Sequence, residues 1–117
     1  MRKIICAKDY FEKLSEKGVV LFGGGSKARQ AIEVLRKKGI KILAVCDNDE
    51  TLWGTEISPG LVIQNFSKIK QEYQDFIVLL TVAINNALPI YQTLGNTVEC
   101  YQFCNPFKVE QGLLSDC

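Results

Sequence analysis

Short apolar runs alternate with amphipathic stretches along most of the 117-residue chain. The first of these runs, VVLF at 19–22, is wholly apolar, and such runs are typical of strands buried on both faces of a parallel sheet. The runs along the chain predict five strands, at residues 19–23, 40–46, 61–63, 76–82 and 97–103. A sheet of this kind needs helices on both of its faces to cover it.

The stretches between the runs supply such helices. Residues 8–17 and 26–38 carry apolar side chains at i, i+3, i+4 and i+7, the spacing of a helix with one buried face. A glycine follows each segment, as is common at the C-terminal end of a helix.

Two further helices are predicted after the third and fourth strands. Asn65 or Ser67 would cap the first of them, because both side chains can accept a hydrogen bond from a free backbone N–H. Asn85 or Asn86 would cap the second. Pro89 is then expected in the first turn of that helix, where its missing N–H costs least.

Strand and helix therefore alternate, which predicts an α/β fold with a doubly wound, parallel, five-stranded sheet and flanking helices. Right-handed crossovers favour the strand order 3-2-1-4-5. The length suits one domain spanning residues 1–117. Its core is expected at about 17–103, and the pattern assigns no element to the tail at 104–117.

A glycine loop joins the first predicted strand to the second predicted helix. The segment GGGSKA begins at Gly23 and fits the G-x-G-x-x-A fingerprint of dinucleotide binding. Gly23 would make the tight turn, Gly25 would let a diphosphate approach the backbone, and Ala28 would let the helix pack closely on the strand. Free N–H groups at a helix start also attract anions. The expected ligand contacts in this loop are Gly23, Gly24, Gly25, Ser26 and Lys27. The alternative is a tight turn with no ligand.

Polar residues at the ends of other strands extend this predicted site. Asp47 ends the second strand, near the spacing of about 20 residues expected for an acid that binds ribose hydroxyls. Asn48 follows it, and the pair could instead simply start a turn. Thr81 and Asn85 would line the other side of the crevice between strands 1 and 4. The alternative for Asn85 is that it caps its helix and does not contact a ligand.

The stretch VVLFGGGSKARQAIEVLRKKGIKILAVCDNDETLWGTEI, with LVI shortly after it, resembles a known family. It is similar to the Rossmann-like nucleotide- or nucleotide-sugar-binding domain of bacterial polysaccharide-biosynthesis enzymes. Such domains occur at the N-terminus of sugar-nucleotide acyltransferases and in epimerase/dehydratase proteins. The resemblance covers about residues 17–103 and implies that a UDP-type nucleotide-sugar or NAD binds. Gly23, Gly25, Lys27 and Asp47 match the motif positions.

Catalytic and metal-binding groups are scarce in the sequence. The chain has no histidine, and none of its four tyrosines has a lysine four residues later, so the Tyr-x-x-x-Lys pair of sugar epimerases and dehydratases is missing. Five cysteines without a secretory signal are interpreted as reduced thiols of a cytoplasmic protein, and their spacing fits no common zinc site. No catalytic or metal-binding residue is assigned, and whether the chain is an enzyme stays open.

Three functions are compatible with these observations. The first is a nucleotide- or nucleotide-sugar-binding module of surface-polysaccharide biosynthesis, part of or partner to a transferase. The second is an NAD-binding oxidoreductase domain, and the third is a non-catalytic interaction or dimerisation domain. The near-neutral charge argues against nucleic acid as a partner, and no membrane insertion is expected. A homodimer or a catalytic partner domain could cover the aromatic residues Phe11, Trp53, Phe103 and Phe107.

Overall fold

The computed structural model describes residue 12 and residues 14–94 and 98–103. Half of the helix predicted at 8–17, and the tail at 104–117, lie outside the described residues. Among the described residues of that segment, Glu12, Leu14 and Ser15 are helical. The described elements are β1 (Gly18–Phe22), α1 (Ser26–Lys37), β2 (Ile42–Cys46), β3 (Glu56–Ser58), β4 (Leu61–Gln64), α2 (Phe66–Glu72), β5 (Phe76–Leu80), α3 (Ile84–Leu94) and β6 (Glu99–Gln102). A single 3-10 turn at Glu50–Leu52 interrupts the loop after β2.

The strands form one sheet in the order β3-β4-β2-β1-β5-β6. All neighbours are parallel except β3, which runs antiparallel to β4 at the edge. The five parallel strands correspond to the five apolar runs. The prediction of a five-stranded sheet is wrong in count and full order, because β3 adds a sixth strand. Its three residues, Glu56–Ser58, lie in a polar stretch, and only Ile57 is buried, so no apolar run marks it.

Strand β1 lies at the centre and explains why its sequence is apolar throughout. Val20 is paired with Ala44 of β2 and with Val78 of β5, and all three side chains are buried on one face of the sheet. Val19 and Leu21 point to the opposite face, where α1 packs. Both faces are therefore covered, as the absence of polar alternation predicts.

The helices divide between the two faces. Helix α1 packs on one face through a stripe made of Ala28, Ala31, Ile32 and Leu35. Helices α2 and α3 pack on the other, through residues that include Phe66, Ile69, Ala87 and Leu94. The amphipathic spacing of the sequence thus gives each helix its buried side.

The N-terminal ends of α2 and α3 confirm one prediction and contradict two others. Asn65 caps α2 as predicted, since its side chain accepts a 2.9 Å hydrogen bond from the Ser67 N–H. Helix α3 starts at Ile84, so Asn85 and Asn86 lie inside its first turn instead of capping it. The Ala83 carbonyl accepts the first helical N–H groups there. Pro89 consequently lies one turn further into α3 than predicted, where it cannot donate to the carbonyl of Asn85.

Candidate functional site

The glycine loop lies at the carboxyl end of β1 and is fastened to both neighbouring strands. The Gly23 N–H donates a 2.8 Å hydrogen bond to the carbonyl of Cys46 at the end of β2. The Gly23 carbonyl accepts a 2.8 Å hydrogen bond from the Thr81 hydroxyl, just beyond β5. Thr81 is only 2% exposed, so its side chain positions the loop from inside the protein.

Gly23 and Gly24 are both closely packed, so a side chain at either position would force its surroundings to shift. Gly23 has φ +126°, and a Cβ there would lie 2.6 Å from Val82 Cγ1 and 2.8 Å from the Thr81 carbonyl oxygen. A Cβ on Gly24 would lie 2.7 Å from Cδ1 of Ile63. Internal packing alone therefore accounts for two of the three glycines.

Gly25 differs from the two glycines before it. It has extended backbone geometry, with φ −99° and ψ −152°, which any residue can adopt. Within the part of the chain that the structure describes, a Cβ there would meet nothing within 4 Å. Gly25 is exposed immediately before α1, and its own folding does not require the absence of a side chain. The residue instead leaves bare backbone accessible at the start of a twelve-residue helix.

The start of α1 has the polarity of an anion site. No acidic residue lies in the first turn of α1, and within the described residues no side chain caps it. Ser26 is exposed and Lys27 is half-buried at this end of the helix. The N-terminal N–H groups and the helix dipole both favour a negatively charged group here.

Asp47 joins the loop to the end of β2. Its Oδ2 accepts a 2.8 Å hydrogen bond from the Gly24 N–H, and its Oδ1 accepts another of 2.8 Å from the Asp49 N–H. The bond from the Asp49 N–H closes a turn, which is the alternative role that the sequence offered for Asp47 and Asn48. A carboxylate offers about four acceptor positions. The half-buried Asp47 can therefore hold the loop and still accept a bond from a ligand hydroxyl.

Two contributions to this edge were missed from the sequence. The indole Nε1 of Trp53 donates a 2.8 Å hydrogen bond to the backbone carbonyl of Asp47, which ties the β2–β3 loop down. The Nε2 of Gln102, at the end of β6, donates a 2.9 Å hydrogen bond to the Val82 carbonyl. The buried Oε1 of Gln102 has no hydrogen-bond partner among the described residues. For the second contact, the sequence offers only one signal, a glutamine near the end of the predicted strand at 97–103.

The remaining predicted residues lie at the same edge of the sheet. Asn48 is exposed directly after Asp47, and Asn85 is exposed in the first turn of α3. A cleft of about 360 Å³ opens between α2 and α3, with Phe22 and Asn48 among its lining residues. The structure thus gathers the predicted positions around the carboxyl ends of β1, β2 and β5.

The described residues offer little for covalent or metal chemistry. Burial, and secondarily the charge of Asp47, raises the pKa of the Cys46 thiol well above its usual range, so that thiol is a poor nucleophile. No cluster of three or more metal-ligating side chains occurs among the described residues. In the same part of the chain, no helix has the length and apolarity needed to cross a membrane.

Two of the aromatic residues expected at an interface can be placed. Phe103 is completely buried within the chain, which removes it from the surface. Trp53 is 37% exposed even though its indole is hydrogen-bonded. Phe11 and Phe107 lie outside the described residues.

Comparison with known proteins gives a fold-level match. No protein-family model and no curated protein matches the chain. Among solved structures, it is similar to the crystal structure of UDP-D-quinovosamine 4-dehydrogenase from Vibrio fischeri. The TM-score is 0.62 at 22% identity, over 85% of this chain and 87% of that one. At this identity the likeness establishes the Rossmann-like α/β fold alone.

Proposed function

We propose that this chain is a nucleotide- or nucleotide-sugar-binding module associated with sugar-nucleotide and surface-polysaccharide biosynthesis, acting as part of or beside a transferase. The observation that carries the proposal is the contrast among the three glycines. Close packing accounts for glycine at positions 23 and 24. At Gly25, by contrast, a side chain would meet no atom of the described residues, and the backbone geometry is one that other residues adopt. A ligand that must approach the backbone closely gives a reason for a glycine at that position.

The groups around Gly25 support a diphosphate followed by a ribose. The start of α1 offers N–H groups and a positive dipole end to the phosphates. Lys27 lies in the same turn and adds positive charge. Asp47 is connected to this loop through Gly24 and retains acceptor capacity for ribose hydroxyls.

A second candidate is an NAD-binding oxidoreductase domain. The neighbour from Vibrio fischeri is named as a dehydrogenase of a UDP-linked sugar, which favours testing both UDP-sugars and NAD. The module is ranked first because the sequence lacks histidine and the Tyr-x-x-x-Lys pair. A module without its own catalytic set would need a catalytic partner domain.

Calorimetry with a ligand panel tests the proposal. The panel contains UDP, a UDP-sugar, NAD, NADH, S-adenosylmethionine and coenzyme A. We expect a UDP compound to bind, and Gly25→Val to abolish that binding because its branched side chain occupies the phosphate position. Gly25→Ala should weaken binding less, and Gln71→Val on the exposed side of α2 should leave it unchanged.

The thermal melting temperature of each variant serves as the control for folding. Gly25→Val should melt close to the wild type, because a Cβ at this position meets no atom of the described residues within 4 Å. If no panel member binds, or if Gly25→Val binds as well as the wild type, the loop is a turn only. The interaction-domain reading then replaces the proposal.

A further inference from the structure

We propose that the outer face of α3 is a homodimer interface, on which a second copy of this chain docks with the two α3 helices antiparallel. The inference goes beyond nucleotide binding and does not depend on it. Helix α3 has the sequence INNALPIYQTL and contains no charged residue, whereas α1 and α2 each carry acidic and basic residues. Soluble proteins usually charge their exposed helices, and depletion of charge is typical of the core of a protein–protein interface.

The exposed side of α3 presents apolar and amide groups together. Leu88 is the most exposed large hydrophobic residue among the side chains that the structure describes, at 43%. Pro89, Asn85 and Gln92 are exposed beside it, while Ala87 points into the core. A single exposed leucine is normal on a protein surface, but here it adjoins an exposed proline on a helix without charges. The face therefore has the composition of a contact surface.

The order of the exposed residues is symmetric about the middle of α3. Asn85, Leu88, Pro89 and Gln92 read amide, apolar, apolar, amide, with two residues between each amide and the nearer apolar residue. If two such helices pack antiparallel about a two-fold axis between Leu88 and Pro89, these two residues meet their own copies. Asn85 then faces Gln92 of the partner subunit, and the same pair forms again on the other side of the axis. A two-fold interface requires this kind of self-complementary surface.

The proline adds a hydrogen-bond acceptor to the same face. Because Pro89 has no backbone N–H, the carbonyl of Asn85 lacks its helical donor. The side-chain amide of Gln92 of the partner subunit can donate to that carbonyl or to the side-chain oxygen of Asn85. Amide groups that pair in this way are satisfied when the contact excludes water, which keeps the cost of burying them low.

The charge of the chain favours a second copy over a different, charged protein. A surface that recognises an acidic or basic partner carries the opposite charge, and α3 carries none. A net charge of +1 also gives little repulsion between two copies. Because the contact is one helix of eleven residues, about 16 Å long, its area lies at the low end of specific interfaces. We therefore expect a weak dimer, with a dissociation constant in the micromolar to millimolar range.

Sedimentation equilibrium without nucleotide, between about 10 μM and about 1 mM protein, tests the interface. The average mass of the wild type should rise from that of the monomer towards that of the dimer. Leu88→Arg places like charges at the axis and should weaken association at least about tenfold. Val62→Arg is the matched control, because Val62 is 38% exposed on β4, whereas α3 packs beside β6 at the other side of the sheet. It should associate as the wild type does.

Two double variants test the antiparallel arrangement. Both contain Asn85→Lys, combined with Gln92→Glu in one and with Gln92→Lys in the other. In the proposed dimer the introduced lysine faces an introduced carboxylate of the partner in the first variant and a like charge in the second. The first should associate at least as tightly as the wild type and the second at least about tenfold more weakly, a difference that added salt reduces. All substituted positions are exposed, and thermal melting checks that each variant is folded.

The outcomes decide the proposal without reference to nucleotide binding. A wild type that stays monomeric at about 1 mM overturns the interface, and so does a Leu88→Arg variant that associates like the wild type. Parallel helices would bring each residue against its own copy, so both double variants would then associate weakly. Equal weakening of the two double variants therefore overturns the antiparallel dimer.

Discussion

The carboxylate of Asp47 accepts a 2.8 Å hydrogen bond from the N–H of Gly24, 23 residues earlier in the chain. This bond connects the end of β2 to the loop after β1, and the other carboxylate oxygen holds the Asp49 N–H. The residue predicted to bind ribose is therefore also part of the scaffold of the loop. Any mutation of Asp47 acts on stability as well as on ligand binding.

Asp47→Ala is expected to lower the free energy of unfolding by about 1–3 kcal/mol, because the part-buried Gly24 N–H loses its acceptor. Asp47→Asn keeps one oxygen acceptor and should lose less. Urea denaturation measures both. Asp75→Ala is the control, since it removes only an exposed ion pair with Lys17 and should cost under about 1 kcal/mol. Equal stability of Asp47→Ala and the wild type would contradict a structural role.

The glycines of the loop are expected to differ sharply in their tolerance of alanine. Gly23→Ala should destabilise by at least about 1–3 kcal/mol, because it combines a left-handed backbone with overlap on the Thr81 carbonyl. Gly25→Ala should stay within about 0.5 kcal/mol of the wild type. Thermal and urea unfolding of the two variants provide the measurement. Similar losses of stability in both variants would mean that a side chain at position 25 does collide with its neighbours.

Gly24→Ala gives a test by rescue. A Cβ there would overlap Cδ1 of the buried Ile63, and valine at position 63 lacks that atom. Ile63→Val alone should cost about 0.5–1.5 kcal/mol. In the Gly24→Ala background, Ile63→Val should lower the free energy of unfolding by less than this, or should even raise it, because it removes the overlapping atom. A double-mutant cycle should yield a coupling free energy of about 1 kcal/mol, whereas additive losses would mean that the loop moves away instead.

The sequence predicts the elements that depend on long apolar or amphipathic patterns and misses those that depend on single contacts. Helix α1 and the parallel strands follow from periodicity, because burial on one or both faces dictates residue type directly. Strand β3 is held by pairing with β4, and only Ile57 of its three residues is buried, so its pattern is too short to detect.

The candidate site shows the same division. The G-x-G-x-x-A spacing predicted where the loop would lie, but not that Gly23 and Gly24 serve packing while Gly25 stays open. The contacts that make this difference come from Ile63 and Val82, which are distant in the sequence. Likewise, Thr81 was predicted as a lining residue, and its buried hydroxyl bonds to Gly23. Only three-dimensional proximity reveals these partners.

Thr81→Val is expected to lower the free energy of unfolding by about 1–2 kcal/mol. Valine matches the shape of threonine but leaves the buried Gly23 carbonyl without the hydroxyl that donates to it. Thr81→Ser retains the hydroxyl and removes one methyl group, so any loss comes from packing. Calorimetric unfolding distinguishes them, together with loss of nucleotide affinity in Thr81→Val if the loop shifts. If Thr81→Val were as stable as the wild type, the Thr81 hydroxyl would not help to hold the glycine loop.

The buried Cys46 thiol is expected to make the protein lose stability in alkali. Burial raises its pKa in the folded state above the value of about 8.5 for an unfolded chain. Above about pH 9 the unfolded chain releases this proton while the native state retains it, so the free energy of unfolding falls as pH rises. Relative to Cys46→Ala, the wild type should lose about 1.4 kcal/mol per pH unit in that range. The difference between the two proteins should be constant from pH 6 to 8, which is the internal control. Curves that stay parallel through pH 10 would show that Cys46 titrates normally in the folded protein.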